Sequence, residues 1–270
     1  LTMITVGMRM SIGPFVIPMS EGLGVSRSAL SGVIAFGMLI YGLGMPVAGF
    51  AVNRFGTRNT LIIGAILVAI SLLLTIYSPN QWVFALSYGG LLSFGLAFTS
   101  PVAFTQLISR WFIAKRTMAL IFLTTGSMAG IAIMTPVFNI AIQSFSWEAT
   151  LLGYALLFFI LTLIVALFVV KGTPPEYGDL SDDNEIKAHQ EKMAFRLKKM
   201  NGASYTLRQV FSTKPFWLLC IGIFSCGFSM SLLGTHAVPM LIDHGFSQNI
   251  SSFGISLIGF VAIFSTIMLG

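Results

Sequence analysis

One charged side chain lies deep within the apolar stretches of this sequence, and its chemistry suits anions. Arg9 is the only Lys, Arg, Asp or Glu well inside any of the long apolar runs. A charged side chain at the centre of a bilayer costs at least about 2.5 kcal/mol, so something must compensate it. A guanidinium can donate two parallel hydrogen bonds to a carboxylate. We therefore expect Arg9 to bind an organic anion, unless backbone oxygens or other helices of the bundle take its hydrogen bonds.

Three further polar side chains in the apolar runs are candidates for the same site: Thr5, Asn139 and His236. Hydroxyl, amide and imidazole groups can bond the oxygens of an anion, or they can bond a neighbouring helix, and the sequence leaves both open. Helical spacing places four polar or small residues on one face of the first run: Thr2, Thr5, Arg9 and Gly13. Such a face is better suited to a water-filled cavity than to lipid.

The composition identifies the elements that hold these side chains. Apolar residues make up 56% of the 270 positions and charged residues 9%, whereas soluble domains average about half and about a quarter. Eight apolar runs are each about long enough to cross 30 Å of hydrocarbon as a helix: 1–19, 29–51, 59–78, 82–108, 117–143, 147–170, 215–238 and 250–270. The sequence therefore predicts an all-α membrane protein whose partner over most of its surface is the lipid bilayer.

Lysine and arginine are distributed unevenly among the loops between these runs. Thirteen fall in alternate loops, within residues 52–58, 109–116 and 171–214, and only Arg27 falls in the opposite loops. Because cytoplasmic loops are rich in Lys and Arg, these three segments and the N-terminus are predicted to face the cytoplasm, as in a plasma-membrane protein. The net charge of +6 is explained by topology, so we expect no nucleic-acid partner.

Two parts of the chain repeat each other at a constant offset of 221 residues. The repeated residues are Gly13, Pro18, Met19, Gly24 and Ser26 in the first part and Gly234, Pro239, Met240, Gly245 and Ser247 in the second. The sequence thus predicts a six-helix half at 1–170, a cytoplasmic linker at 171–214 and the first two helices of a second half at 215–270. Repeated halves that hold a substrate between them near the middle of the membrane are typical of transporters.

A short basic turn between the second and third runs resembles the signature loop of the major facilitator superfamily, Gly-x-x-x-Asp-Arg-x-Gly-Arg-Arg. The matching residues are Gly49, Arg54, Gly56 and Arg58. Asn53 replaces the acid and keeps an oxygen that can cap a helix, while Thr57 replaces a basic residue. The resemblance implies a helical bundle of twelve spans, of which this chain holds about eight, and a role for the loop in conformational change. A basic loop that only fixes topology is the alternative.

A second basic stretch, residues 110–116, resembles the aromatic-basic loop of monocarboxylate porters and oxalate/formate antiporters. Its basic residues are Arg110, Lys115 and Arg116, which the resemblance assigns to the same conformational role. The first run and its following loop are similar to this branch at Arg9, Ser11, Gly13, Phe15, Pro18, Glu21, Gly24, Ser26 and Arg27. The resemblance implies a secondary transporter of small organic anions that works by alternating access, with a proton or counter-anion as the coupling partner.

Two other functions fit the same runs. An exporter of drugs or other amphipathic solutes would share the fold, although the Gly-Pro pair that such exporters favour in the fifth span is absent here. A membrane sensor or assembly protein that moves nothing is the alternative from another class. No metalloprotease, hydrolase or phosphate-loop motif is present, so the sequence predicts neither an enzyme nor a cofactor or metal site, and it specifies no oligomeric state.

The predicted topology can be tested at Ser181, in the middle of the linker. In full-length protein with Cys220 and Cys226 replaced by serine, the thiol of Ser181→Cys should react with a membrane-impermeant maleimide only after the cells are opened. Labelling in intact cells at the rate seen in opened ones would reverse the assignment of the linker to the cytoplasm.

Overall fold

The structure, a computed structural model, describes residues 1–78, 80–112, 115–170, 209 and 211–269, without the side chains of Arg110, Ile267 and Leu269. Most of the predicted linker at 171–214 lies outside these residues. All regular structure in the described part is helical, as predicted. The α-helices are α1 (Thr2–Met10), α2 (Gly13–Gly22), α3 (Arg27–Ile76), α4 (Gln81–Phe84), α5 (Ser93–Phe98), α6 (Pro101–Trp111), α7 (Arg116–Ser144), α8 (Trp147–Ile164), α9 (Lys214–Asp243) and α10 (Gln248–Leu269). Two π-helical stretches, Ala85–Leu92 and Val165–Val169, join α4 to α5 and extend α8.

Six helical segments of the described chain are long and apolar enough to cross a membrane, or seven if the bent pair α1–α2 forms one span. One of the six is α3, whose 50 residues would extend about 75 Å, more than twice the hydrocarbon thickness. Gly56 divides it, with φ 79° and ψ 161° inside an otherwise helical run. If α3 is counted as two spans and the bent pair α1–α2 as one, the described chain has the eight spans that the sequence predicts.

The break at Gly56 needs glycine, because a side chain is strained at this positive φ. Two side chains bond the backbone around the break: the Thr60 hydroxyl donates to the Gly56 carbonyl at 2.8 Å, and the Asn59 amide donates to the Phe55 carbonyl at 3.1 Å. Asn53 was expected to offer a cap to the next helix, but it lies within the helical segment before the break. The junction between the second and third spans is therefore Gly56 itself.

The first span is not the single helix that the sequence predicts. It bends by 56° between α1 and α2, because Pro14, in the first turn of α2, has no N–H and its ring would clash with the carbonyl four residues earlier. The expected stripe of Thr2, Thr5, Arg9 and Gly13 is consequently divided, with Gly13 on the far side of the break. Arg9 lies in the last turn of α1.

The 221-residue repeat extends to individual hydrogen bonds at the turn that follows the first span of each half. Gly24 and Gly245 both have positive φ, 62° and 90°. Each turn carries the pair of backbone bonds that defines a Schellman helix end, from Val25 to Ser20 and Gly24 to Glu21 in the first half and at the residues 221 positions later in the second. Ser26 and Ser247 then cap the next helix: each hydroxyl oxygen accepts a hydrogen bond from the backbone N–H three residues later in the sequence.

Helix α7 lies between α1 and α10, and small residues let the three backbones approach closely. A Cβ atom on Gly130 of α7 would overlap the carbonyl oxygen of Met3 and lie 2.9 Å from the Gly7 amide nitrogen. On its other side, a Cβ on Gly259 of α10 would lie 2.6 Å from the Ala132 amide nitrogen, and the Ser256 hydroxyl donates to the Ala132 carbonyl. Helix α7 thus joins the first span to α10 through backbone contact.

The Arg27 end of the bundle is defined as the end where α2, α7 and α9 finish and where α3, α8 and α10 begin. The Gly56 end is the opposite one.

Aromatic rings of three helices, α2, α7 and α8, form a chain: Phe15 contacts Phe138 at 5.1 Å, and Phe138 contacts Tyr154 at 5.8 Å between centroids. The Tyr154 hydroxyl donates to the Ile4 carbonyl at 3.2 Å, which holds α8 against α1.

The close approach of α7 to α1 gives a stability prediction. Gly130→Ala should lower the melting temperature of the detergent-solubilised protein, because the added methyl meets backbone atoms, and overpacking of this kind costs about 1–3 kcal/mol. Gly153→Ala is the matched control, since a Cβ there meets nothing within 4 Å and alanine favours a helix by up to about 1 kcal/mol over glycine. Equal melting temperatures for the two variants would contradict the contact.

Candidate functional site

Arg9 lies in the last turn of α1. Because the first span breaks there, the helix has a C-terminus at this point, with carbonyl groups that do not all bond the N–H four residues later. A helix C-terminus carries a partial negative charge that stabilises a cation by roughly 0.3–1 kcal/mol. The guanidinium carbon also stands 4.1 Å from the centroid of the Tyr41 ring, a cation–π geometry worth about 0.5–2 kcal/mol depending on exposure. Two local contacts therefore offset part of the cost of the charge.

A cavity opens beside this pair, between the first, second and fourth spans. It encloses about 40 Å³, enough for a carboxylate-sized group. Its lining is mostly aliphatic, with Arg9, Tyr41, Tyr88 and Ser93 as the polar members and Met8, Ile12, Val33, Ile34, Met38, Leu92 and Leu96 among the apolar ones. The Nε atom of Arg9 is buried and has no hydrogen-bond partner among the described residues. The cavity thus combines a cation, an unused buried donor and an apolar wall.

The cavity wall also touches α9. The Ser231 hydroxyl of α9 donates to the Met38 sulfur at 2.9 Å, and Met38 lines the cavity. One turn further along α9, a Cβ on Gly234 would lie 2.9 Å from the carbonyl oxygen of Met10, the residue that follows Arg9. A group bound at Arg9 would therefore lie one side chain away from α9.

None of the other three candidate residues lines the cavity beside Arg9, although Thr5 lies one turn before Arg9 in α1. Thr5 is 1% exposed and its hydroxyl has no partner in the described chain, but it is not among the residues that line the cavity. His236 is exposed on α9 and is also absent from the lining. Asn139 is 3% exposed and lies near the Arg27 end, where its amide contacts the second half.

Asn139 belongs to a cluster of three side-chain amides between α7 and α10. Its Nδ2 donates to Asn249 Oδ1 at 2.7 Å, and Gln143 Nε2 donates to the same oxygen at 2.9 Å and to Asn139 Oδ1 at 3.3 Å. Asn139 thus bonds a neighbouring helix, which is one of the two roles that the sequence left open for it. Neither Asn249 nor Tyr41 could be assigned a partner from the sequence, although both are polar residues in or beside apolar runs.

The basic residues of the two loops lie at the Gly56 end, remote from Arg9 along their helices. Gly49 packs near α6, where a Cβ would come within 3.5 Å of Gln106 Nε2. The Arg54 guanidinium carbon is 5.7 Å from the Phe55 ring centroid. The remaining loop residues Asn53, Arg58, Lys115 and Arg116 are exposed, and the Arg110 side chain lies outside the described part. This end therefore presents a basic surface.

Comparison with known proteins supplies the family. A sequence profile of the Major Facilitator Superfamily matches residues 1–270. The chain is 27% identical over 241 residues to an uncharacterized MFS-type transporter, YcxA, of Bacillus subtilis (strain 168), with 85% of this chain and 52% of YcxA covered. It is 24% identical over 226 residues to monocarboxylate transporter 2 of Rattus norvegicus, with 82% and 46% covered. The chain therefore spans about half the length of these relatives.

The fold is similar to a solved member of the same group. The crystal structure of a D-xylose-proton symporter aligns with 99% of this chain and 66% of that one, with a TM-score of 0.61 and 18% identity. At this identity the likeness shows the fold alone. With a profile that covers the whole chain and a helical bundle of the matching architecture, this chain belongs to the Major Facilitator Superfamily of membrane transporters and is not an enzyme.

Proposed function

We propose that the full protein is a secondary transporter of small organic anions of the monocarboxylate kind, which binds the carboxylate at Arg9 and alternates access between its two halves. The observation that carries the proposal is the buried Arg9 Nε, which faces no partner among the described residues beside a cavity of carboxylate size. Similarity to monocarboxylate transporter 2 at 24% identity supports the same substrate class. Because the chain spans about half of such relatives, the rest of the protein completes the site.

The charge balance of the span favours an anion as the missing partner. The cost of a cation in the membrane, at least about 2.5 kcal/mol, is offset in part by the Tyr41 ring and the α1 C-terminus. A carboxylate would neutralise the guanidinium and use the Nε–H together with a second N–H in a bidentate bond. The aliphatic lining then suits a small apolar tail, and Arg9, the one cation among the described residues that line the cavity, suits one carboxylate.

The contacts of the cavity with both halves support the proposed movement between conformations. A bound anion would touch the first half at Arg9 and lie beside Met38, which Ser231 of the second half contacts. A ligand shifts a conformational equilibrium only through its different contacts in the two states. The Met38–Ser231 contact is one that changes when the halves move apart, so it can couple binding to that motion.

The remaining assignments complete the proposal. The basic Gly56 end and the linker face the cytoplasm, the protein resides in the plasma membrane, and the chain comprises a six-helix half, the linker and the first two helices of a second half. A proton or a counter-anion serves as the coupling partner. His236 is exposed on α9 and does not line the cavity, which favours exchange or a proton site elsewhere in the full protein.

Substitution of Arg9 tests the site. In full-length Arg9→Lys the charge stays but the planar donor pair is lost, so uptake of propionate into proteoliposomes should fall about tenfold or more while the melting temperature without ligand stays unchanged. Propionate should raise the melting temperature of the wild type in proportion to the logarithm of its concentration, and propionamide, its neutral isostere, should not. A folded Arg9→Lys protein that transports propionate at the normal rate would remove Arg9 from the site.

The Tyr41 ring is expected to hold the Arg9 guanidinium in its binding orientation. Tyr41→Leu should raise the KM for propionate roughly two- to thirtyfold, the range that a cation–π contact of about 0.5–2 kcal/mol implies, with little change in maximal rate. Tyr41→Phe keeps the aromatic face and should behave nearly as the wild type. Tyr77→Leu, at a residue 79% exposed outside the cavity, is the control. An equal KM in Tyr41→Leu and Tyr77→Leu would show that the ring has no such role.

A further inference from the structure

An ion pair at the Arg27 end joins the two halves of the chain. Arg27 Nη1 lies 3.0 Å from Asp243 Oδ1 and 3.2 Å from Asp243 Oδ2, across 216 positions of sequence. Arg27 is the first residue of α3 and Asp243 is the last residue of α9. The pair therefore connects the start of the second span in the first half with the end of the first span in the second half.

The contacts of α9 with the first half lie between Ser231, past the middle of the helix, and the Arg27 end. Along its first part, residues 214–230 are exposed with two partly buried exceptions, and Cβ atoms on Gly222 and Gly227 would meet nothing within 4 Å. Contact begins at Ser231 and continues to Val238, which is 1% exposed and lies 3.2 Å from a Cβ placed on Gly13. Helix α9 thus contacts the first half in the part of its length nearer the Arg27 end and leaves it toward the Gly56 end.

The charges of the pair have no counterpart in the repeat. At the offset of 221 residues Arg27 corresponds to Gln248, and Asp243 corresponds to Gly22. The repeated turn therefore holds one ion pair across the pseudo-symmetric interface, not two. Arg27 is also the one Lys or Arg in the loops of this end. If either charge is removed, these turns therefore offer no equivalent ion pair that could take over its role.

We propose that Arg27 and Asp243 form an electrostatic latch that favours the conformation closed at the Arg27 end and that breaks when the halves separate there. The side chains of the pair are half exposed, 50% for Arg27 and 54% for Asp243. The pair therefore shifts the equilibrium between the closed and open conformations by a small factor and does not prevent opening. Exposed pairs of this kind shift a two-state population about two- to fivefold. Such a bias sets how often the binding cavity opens at this end, whatever anion it carries.

Val238 provides a direct measure of that opening, because it is buried in the closed conformation beneath the latch. In full-length protein with its other cysteines replaced by serine, the thiol of Val238→Cys should react with N-ethylmaleimide at a rate proportional to the population open at the Arg27 end. Arg27→Gln and Asp243→Asn should each raise this rate about two- to fivefold. The reversed pair, Arg27→Asp with Asp243→Arg, should return it toward the wild-type value.

Two comparisons separate the latch from a general effect of charge. Glu21→Gln removes an exposed acid at the same end that forms no ion pair within the described residues, and it should leave the rate unchanged. Salt of about 1 M reduces the screening length to about 3 Å, so it should raise the rate of the protein with the intact pair and leave Arg27→Gln unaffected.

The outcome is decided by these rates and does not depend on transport. Equal rates with the intact pair, in Arg27→Gln and in Glu21→Gln would show that the pair does not hold this end closed. Faster labelling in the single variants that the reversed pair fails to correct would show that the charges act separately, which also overturns the latch. If Arg27→Gln does not fold, Asp243→Asn replaces it both in the labelling comparison and as the control of the salt series.

Discussion

A bilayer offers no hydrogen bonds to a peptide group, and the architecture of this chain depends on that constraint. Each span must satisfy its own backbone, so helices are the form available to a polypeptide that crosses lipid outside a closed barrel. The break inside the first span obeys the same rule, because the Ser11 N–H still bonds the Gly7 carbonyl at 2.8 Å and the Phe15 N–H bonds the Ile12 carbonyl at 2.9 Å. An interrupted helix can lie at membrane depth here because its neighbours enclose it: Ser11, Ile12 and Gly13 are all buried.

The same solvent changes what holds the helices together. Apolar side chains gain little by leaving a lipid that is as apolar as they are, so helix association depends on close packing and on hydrogen bonds between helices. Helix α7 uses both, with backbone contact at Gly130 and Ala132 and the amide bonds of Asn139. The many large apolar side chains that remain exposed on α3, α8 and α9 are consistent with surfaces that face lipid or further helices.

Apolar runs predict which residues are helical and helical spacing predicts which residues share a face, but neither predicts which helix lies opposite. The eight spans were predicted from the apolar runs, and the turn that contains Gly56 from the basic break between two of them. The environment of Arg9 was not, since Tyr41 and Arg9 belong to different helices and no spacing rule relates them. Asn139 and Asn249, 110 residues apart, are a similar case. The bend after Met10 did have a local signal in Pro14, which a count of apolar residues across the run does not register.

The differences between the two repeated parts of the chain explain why the candidate site lies in the first of them. The turns at Gly24 and Gly245 share their hydrogen bonds, so the repeat preserves a scaffold. At the offset of 221 residues, however, Pro14 corresponds to Thr235, Arg9 to Met230 and Tyr41 to Ala262. Thr235 keeps its N–H, and α9 accordingly runs unbroken through this region, from Lys214 to Asp243.

These three replacements belong together physically. Without a proline there is no helix end inside the span, and without that end and an aromatic face an arginine in the span would lack the two contacts that offset its cost. A cation can therefore be kept in the membrane at this point of the first half and not at the equivalent point of the second. The asymmetry of the candidate site follows from a single break in one helix, which the second half does not share.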